Sequence, residues 1–306
     1  MAVKPMIQGT WGALLLPLNS DGSIDWGRLE TNVDALIESE VSGVYSNGTA
    51  GEFYNQTEEE FDRISVMMAE RCRKADMPFQ IGVSHSNPWQ SRERLRRVAE
   101  LDPLAFQVIL PDWFPPVLEE CRIFLEEMTA AAGGTPLVLY NPTHAKVVLS
   151  PEEFGALHRT APSLAGIKVA GGDNDWFAAM RKNCFGLSVF VPGHVLASSL
   201  GKGAHGSYSN VACLNPGAAM KWYRQMKEDL PAALELEVRI QAFLATQVRP
   251  FISKHGYSNH AVDKFMACVG GWAPMTTHLR WPYRSIPESM VEPAREIGRK
   301  LIPEFF

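Results

Sequence analysis

The chain has 306 residues, a formal net charge of −5 and 46% apolar residues. That length suits one large domain or a barrel with an appendage, and the composition supports a packed core. The mildly acidic balance gives no reason to expect nucleic acid or an anionic membrane as a partner. The five cysteines (Cys72, Cys121, Cys184, Cys213 and Cys268) are odd in number and form no Cys-x-x-Cys, which implies reduced thiols and a cytoplasmic protein. The eight histidines include no His-Glu-x-x-His, so no zinc site is indicated and no cofactor is expected. The most apolar N-terminal stretch, 11–18, is too short for a membrane span and ends at Pro17 and Asn19, and no signal peptide is evident.

In chain order, short apolar runs alternate with amphipathic segments. Strands are predicted near 10–16, 43–47, 78–83, 105–110, 136–140, 164–168, 187–191 and 206–209. The first helix carries Leu29, Val33, Leu36 and Ile37 on one face. Later helix starts are marked by a capping box at Thr57–Glu60, by Asn87-Pro88 and Ser150-Pro151 with Gln90 and Glu153 at the third helical position, and by Asn215-Pro216. Arg92, Arg94, Arg96 and Arg97 interleave with Glu93 and Glu100, which reads as a solvated helix face. Eight such units fit a (β/α)8 TIM barrel over residues 1–230, an α/β fold with its chemistry at the C-terminal ends of the strands. Residues 231–306 read as a helical region broken at Pro250, Pro274, Pro282 and Pro287.

Three motifs stand at those strand ends. In Leu164-Ala-Gly-Ile-Lys168 an apolar strand terminates on a lysine. Burial there lowers a lysine's pKa and supplies the neutral amine that Schiff-base chemistry needs; a lysine snorkelling to the surface fits the same pattern. Tyr140 ends the preceding strand, 28 residues earlier, one βα repeat away. A phenol beside an amine can relay protons as a carbinolamine dehydrates, although a strand-end tyrosine also packs. The loop Gly48-Thr-Ala-Gly51 follows the second strand and offers successive backbone N–H groups to an anion. It lacks the Lys-Ser/Thr of a phosphate loop, so a carboxylate suits it better than a nucleotide phosphate.

Taken together, Gly48-Thr-Ala-Gly-Glu52, Tyr140-Asn-Pro142 and Gly166-Ile-Lys168 resemble, in order and spacing, the dihydrodipicolinate synthase/N-acetylneuraminate lyase family of class I aldolases. The resemblance extends over nearly the whole chain, including Gly193, Gly206-Ser-Tyr-Ser-Asn210 and Leu279-Arg-Trp-Pro282. It implies a TIM barrel with a C-terminal helical appendage, a homotetramer, and Lys168, Tyr140 and Thr49 as the catalytic set. It also implies a substrate site drawing on Ala50, Gly51, Trp113, His144, His194 and Tyr208, with a small 2-oxo acid and an aldehyde as partners.

The departures bear on the substrate. Ala50 replaces a hydroxyl residue of the family loop. Pro111-Asp-Trp-Phe-Pro115 puts Trp113 near the place of a relay tyrosine, and an indole N–H donates but cannot pass a proton on. The segment after Tyr140 lacks the arginine by which the synthases hold their second substrate, leaving His144 or Lys146 to stand in, and His194 occupies a place that is usually acidic. These changes argue against true dihydrodipicolinate synthase activity. The expected reaction is aldol cleavage or condensation of pyruvate or another 2-oxo acid. Dehydration of a 2-oxo-3-deoxy sugar acid and a non-catalytic 2-oxo-acid binding protein are the alternatives.

Overall fold

The computed structural model describes residues 6–208 and 210–306. Eight parallel strands close into a barrel in sequence order. They are β1 (Gly9–Ala13), β2 (Gly43–Ser46), β3 (Phe79–Gly82), β4 (Ala105–Ile109), β5 (Leu137–Tyr140), β6 (Leu164–Lys168), β7 (Ser188–Phe190) and β8 (Gly206–Tyr208). Each sits within an expected strand or within a residue of it; Ser209, the last residue of the eighth, lies outside the described residues. The register pairs Tyr140 with Lys168 and Lys168 with Phe190, so the two chemistry-bearing residues share one rim of the barrel.

β1 stops earlier than the sequence suggests. Its ladder with β2 ends at Ala13 opposite Tyr45, and Asn47 then turns left-handed (φ 53°), carrying the second strand away. Leu14, Leu15 and Leu16 remain buried without a partner strand.

Two apolar regions hold the fold. Trp11, Tyr45, Ala105, Val138, Phe190 and Tyr208 fill the barrel interior. A larger layer lies between strands and helices, and includes Leu29, Val33 and Leu36, with Ile37 packed at its edge. Full burial of one large aliphatic side chain contributes about 1.5–3 kcal/mol, so this layer dominates the stabilising side. The capping boxes form at Thr57 and Ser150, and Asn87 and Asn215 cap their helices through their side chains.

The arginine cluster is not a uniformly solvated face. Arg94 is 1% exposed. Its guanidinium donates to Glu58 at 2.7 and 2.9 Å and to the Ser84 carbonyl at 2.6 Å, joining three segments below the barrel rim. A guanidinium can be buried when its fork is met by fixed acceptors, and Glu58 supplies one.

After residue 229 the chain is helical at Leu230–Phe243, Arg249–Ser253, Asn259–Gly270 and Val291–Leu301, with a π-helical turn at Leu244–Val248. Pro250 lies in the first turn of its helix, and Pro274, Pro282 and Pro287 fall in the non-helical stretch between the last two. The Asn259–Gly270 helix packs tightly on the short Asn210–Leu214 helix after β8. A Cβ at Gly270 would fall 1.5 Å from the Leu214 carbonyl oxygen, so only glycine permits this approach. No helix among the described residues is long and apolar enough to cross a membrane.

Candidate active site

Lys168 projects from the end of β6 into a cavity of about 340 Å³ at the C-terminal mouth of the barrel. Three tyrosine rings box its amine. Nζ lies 4.0 Å from the ring centre of Tyr140, 5.4 Å from that of Tyr208 and 5.5 Å from that of Tyr45. The last two rings are locked from within the barrel. The Tyr208 hydroxyl donates to Gln80 at 2.5 Å, and the Tyr45 hydroxyl donates to Gln107. Burial pulls the Lys168 pKa down to about 8, against the opposing pull of Asp263 and Cys213. An appreciable fraction of neutral amine is therefore present near neutral pH.

Tyr140 turns its ring, rather than its hydroxyl, toward the amine. Burial, followed by the charge of Asp263, raises the Tyr140 phenol to about 12, with the nearby Thr49 side chain pulling the other way. Thr49 and Ala50 line the same cavity. Their loop is bracketed by two left-handed residues, Asn47 and Glu52, at φ 53° and 54°. Gly48 is required because a Cβ there would fall 2.1 Å from the Tyr45 hydroxyl and 2.5 Å from its ring. Among the described residues, nothing accepts from the backbone N–H groups of Thr49, Ala50 and Gly51. Gly51 itself sits behind the wall, against the Leu14 carbonyl oxygen.

His144, His194 and Tyr208 line the cavity with Lys168. His194 Nδ1 lies 2.8 Å from the Asn210 amide nitrogen, its carbonyl accepts from Gln241, and burial lowers its pKa. Tyr208 contributes a ring surface, its hydroxyl being engaged below.

Trp113 is a correction. It is not a wall of this cavity but is 84% exposed, outside the loop that follows β5. The Asp112 carboxylate accepts from the Lys146 backbone N–H, and the Lys146 ammonium donates to the Trp113 carbonyl at 2.9 Å and faces its ring. These contacts hold the tryptophan segment on the outer side of that loop. They also occupy Lys146, which leaves His144 as the member of that pair lining the cavity.

Reasoning from sequence missed the contribution of the C-terminal helices. Asn259, Val262, Asp263 and Met266 form one face of the Asn259–Gly270 helix and line the cavity opposite Lys168. Leu244, Val248, Arg249 and Ile252 extend the wall. Burial raises the Asp263 pKa to about 7, with Lys168 pulling the other way. The available signal was the adjacent pair Asp263-Lys264 inside an otherwise apolar helix, because buried charges need a reason to be there. Lys264 has one: its ammonium donates to Glu52 at 2.6 Å, and both side chains are 0% exposed. Glu52 of the glycine loop thus anchors that loop to the C-terminal helix.

A second cavity, of about 540 Å³, meets the first at Thr49, Tyr140, Pro142, His144 and Asn259. Tyr54, His260 and Tyr283 form an aromatic cluster on its far side, with ring centres 4.6–5.3 Å apart.

Comparison with known proteins places this geometry. A 4-hydroxy-tetrahydrodipicolinate synthase of Stenotrophomonas maltophilia (strain K279a) is 30% identical over 249 residues, 78% of this chain and 80% of that protein. The N-acetylneuraminate lyase of Rattus norvegicus is 26% identical over 278 residues, 88% and 85% of the two chains. Among solved structures, YagE, a prophage protein of the dihydrodipicolinic acid synthase family from E. coli K12 in complex with pyruvate, superposes with a TM-score of 0.84. It has 19% identity, with 97% of this chain and 99% of that one covered, a likeness of fold. The profile of the Dihydrodipicolinate synthetase family matches residues 6–297, and the chain belongs to that family.

Proposed function

We propose that the protein is a Schiff-base-forming lyase acting on pyruvate or another 2-oxo acid, with aldol cleavage or condensation as its reaction. The observation that carries this reading is the placement of Lys168: a half-buried side chain whose amine has its pKa lowered to about 8, at the floor of a cavity beside Tyr140. The neutral amine attacks the 2-oxo carbon, and the Tyr140 and Thr49 hydroxyls move protons as water leaves the carbinolamine. The unclaimed N–H groups of the 49–51 loop are the seat for the 2-oxo acid's carboxylate. The resulting iminium withdraws electrons from the neighbouring carbon, which permits the C–C bond there to form or break.

Trp113 does not line the cavity within this chain, which leaves space over Lys168 for an imine. That supports the enzyme reading over the binding-protein reading for which Ala50 and Trp113 are the motives. Val191, Leu244, Val248, Ile252, Val262 and Met266 make one side of the cavity apolar, which favours an aldehyde with an apolar body over a polyhydroxylated chain.

The test is borohydride reduction in the presence of pyruvate and, separately, of a panel of 2-oxo acids. One adduct of pyruvyl mass is expected on the peptide containing Lys168, and none in Lys168→Arg, whose guanidinium stays protonated. Labelling elsewhere, or none with any acid of the panel, overturns the mechanism.

A further inference from the structure

The Asp263 carboxylate faces the cavity from the helix opposite Lys168, yet it makes no hydrogen bond and no ion pair within 4.0 Å with any described residue. A carboxylate held in a largely apolar wall without a partner is costly, and its neighbour Lys264 shows that this helix can pair a charge when structure alone requires it. The groups that feel its charge are Lys168 on β6, Tyr140 on β5, Cys213 on the helix after β8 and Tyr54 beyond the 48–51 loop. Arg249 and His194 stand on the same cavity wall. Asp263 is thus near enough to Lys168 to couple with it, but leaves space between them for substrate atoms.

We infer that Asp263 is the catalytic base that takes the proton from the carbon next to the imine and carries it to the aldehyde oxygen. This rests on the imine reading of Lys168. With pyruvate bound, the iminium joins Lys168 to C2, and the C3 methyl lies two bonds from Nζ. Asp263 accepts a C3 proton; the C–H electron pair becomes the C2=C3 bond, and the C2=N pair returns to nitrogen, giving a neutral enamine and a protonated Asp263. The enamine carbon then attacks the aldehyde carbon. The C–C bond forms, the nitrogen regains its double bond to C2, and the aldehyde oxygen takes the proton from Asp263. The carboxylate is restored, and water releases the product from Lys168. Cleavage is the same sequence reversed.

Tyr140 is the competing base, and it is poorly placed for this step. Its ring, not its hydroxyl, faces the amine, and a phenol raised to about 12 is protonated at neutral pH. A carboxyl raised to about 7 can both accept and return a proton there.

The experiment needs only pyruvate. Wild type, Asp263→Asn and Asp263→Glu are compared by borohydride trapping at Lys168 and by deuterium wash-in to the pyruvate methyl group in D2O, followed by proton NMR. Wild type should trap and exchange, with the exchange rate rising as pH passes upward through about 7. Asp263→Asn should trap to the same extent but exchange about 10²–10⁴-fold more slowly, without that rise. Asp263→Glu should recover part of the exchange, with the midpoint of its pH-dependent rise moved from the wild-type position; if the asparagine variant does not fold, a glutamate variant that exchanges at the wild-type rate with an unmoved midpoint overturns the assignment. Wild-type exchange in Asp263→Asn, loss of trapping in a folded Asp263→Asn, or trapping without exchange in wild type would each overturn it as well. Absence of trapping in wild type would instead overturn the imine reading on which it rests.

Discussion

The Lys168 amine lies 4.0 Å from the centre of the Tyr140 ring, so the tyrosine offers it a π face, with Thr49 on the same cavity wall. A cation over a ring is held electrostatically, and the same ring positions the neutral amine once the proton has left.

Tyr140→Phe keeps the ring and removes only the hydroxyl. The approach to the trapped adduct with pyruvate and borohydride should slow by about 10²–10⁴-fold, while the final extent of labelling is unchanged. Thr49→Val should slow the same step in the same direction by a smaller factor. A change of only a few-fold in Tyr140→Phe would move the proton relay to water or to another side chain.

Dihydrodipicolinate synthase activity should be poor. The loop after β5 carries no arginine, and Lys146 is committed to the Trp113 carbonyl. A coupled assay with pyruvate and aspartate semialdehyde measures this directly. Efficient turnover would show that another cation, with Arg249 the first candidate on the wall, holds the second carboxylate.

Lys264→Met should cost about 3–5 kcal/mol in denaturant unfolding, because it leaves the Glu52 carboxylate buried without its partner. The double variant Glu52→Gln with Lys264→Met should recover much of that loss. Equal destabilisation in the single and double variants would place the effect in packing rather than charge.

Burial, and then the charge of Lys264, holds His260 at a pKa of about 4, below the ordinary histidine value near 6.5. Between these values the unfolded chain binds a proton that the folded chain refuses, so stability falls as pH drops from 6.5 toward 4. His260→Gln should flatten that part of the profile, read as thermal midpoints at several pH values. Asp263 has the opposite sign. Its raised pKa means that stability declines as pH rises from about 4 to about 7, and Asp263→Asn should be at least as heat-stable as wild type at pH 8.

The parts of the site that lie on strands were readable because a strand announces its own end. Lys168 and Tyr140 each close an apolar run, and their one-repeat spacing becomes side-by-side register in the barrel. Helix starts at Thr57 and Ser150 were equally plain, since their capping side chains act locally. Asp263 was not readable in the same way: its helix is buried on several faces, and the direction in which its carboxylate points depends on how that helix seats on the barrel. Arg94 and Trp113 show the same limit from both sides. A charge expected in water is buried because Glu58 lies on a neighbouring helix, and an aromatic expected in the pocket is exposed because Lys146 and Asp112 hold its segment outward.

The Glu52–Lys264 pair closes a span of 212 residues. Closing so long a span costs loop entropy that other packing must offset. The loop that would seat a carboxylate therefore gains its anchor only when the last helices dock. A folding intermediate with a closed barrel but an undocked C-terminal region would display Lys168 without the wall that selects what reaches it. Reactivity toward 2-oxo acids should thus emerge as one of the final events of folding, and its time course would follow completion of the native state.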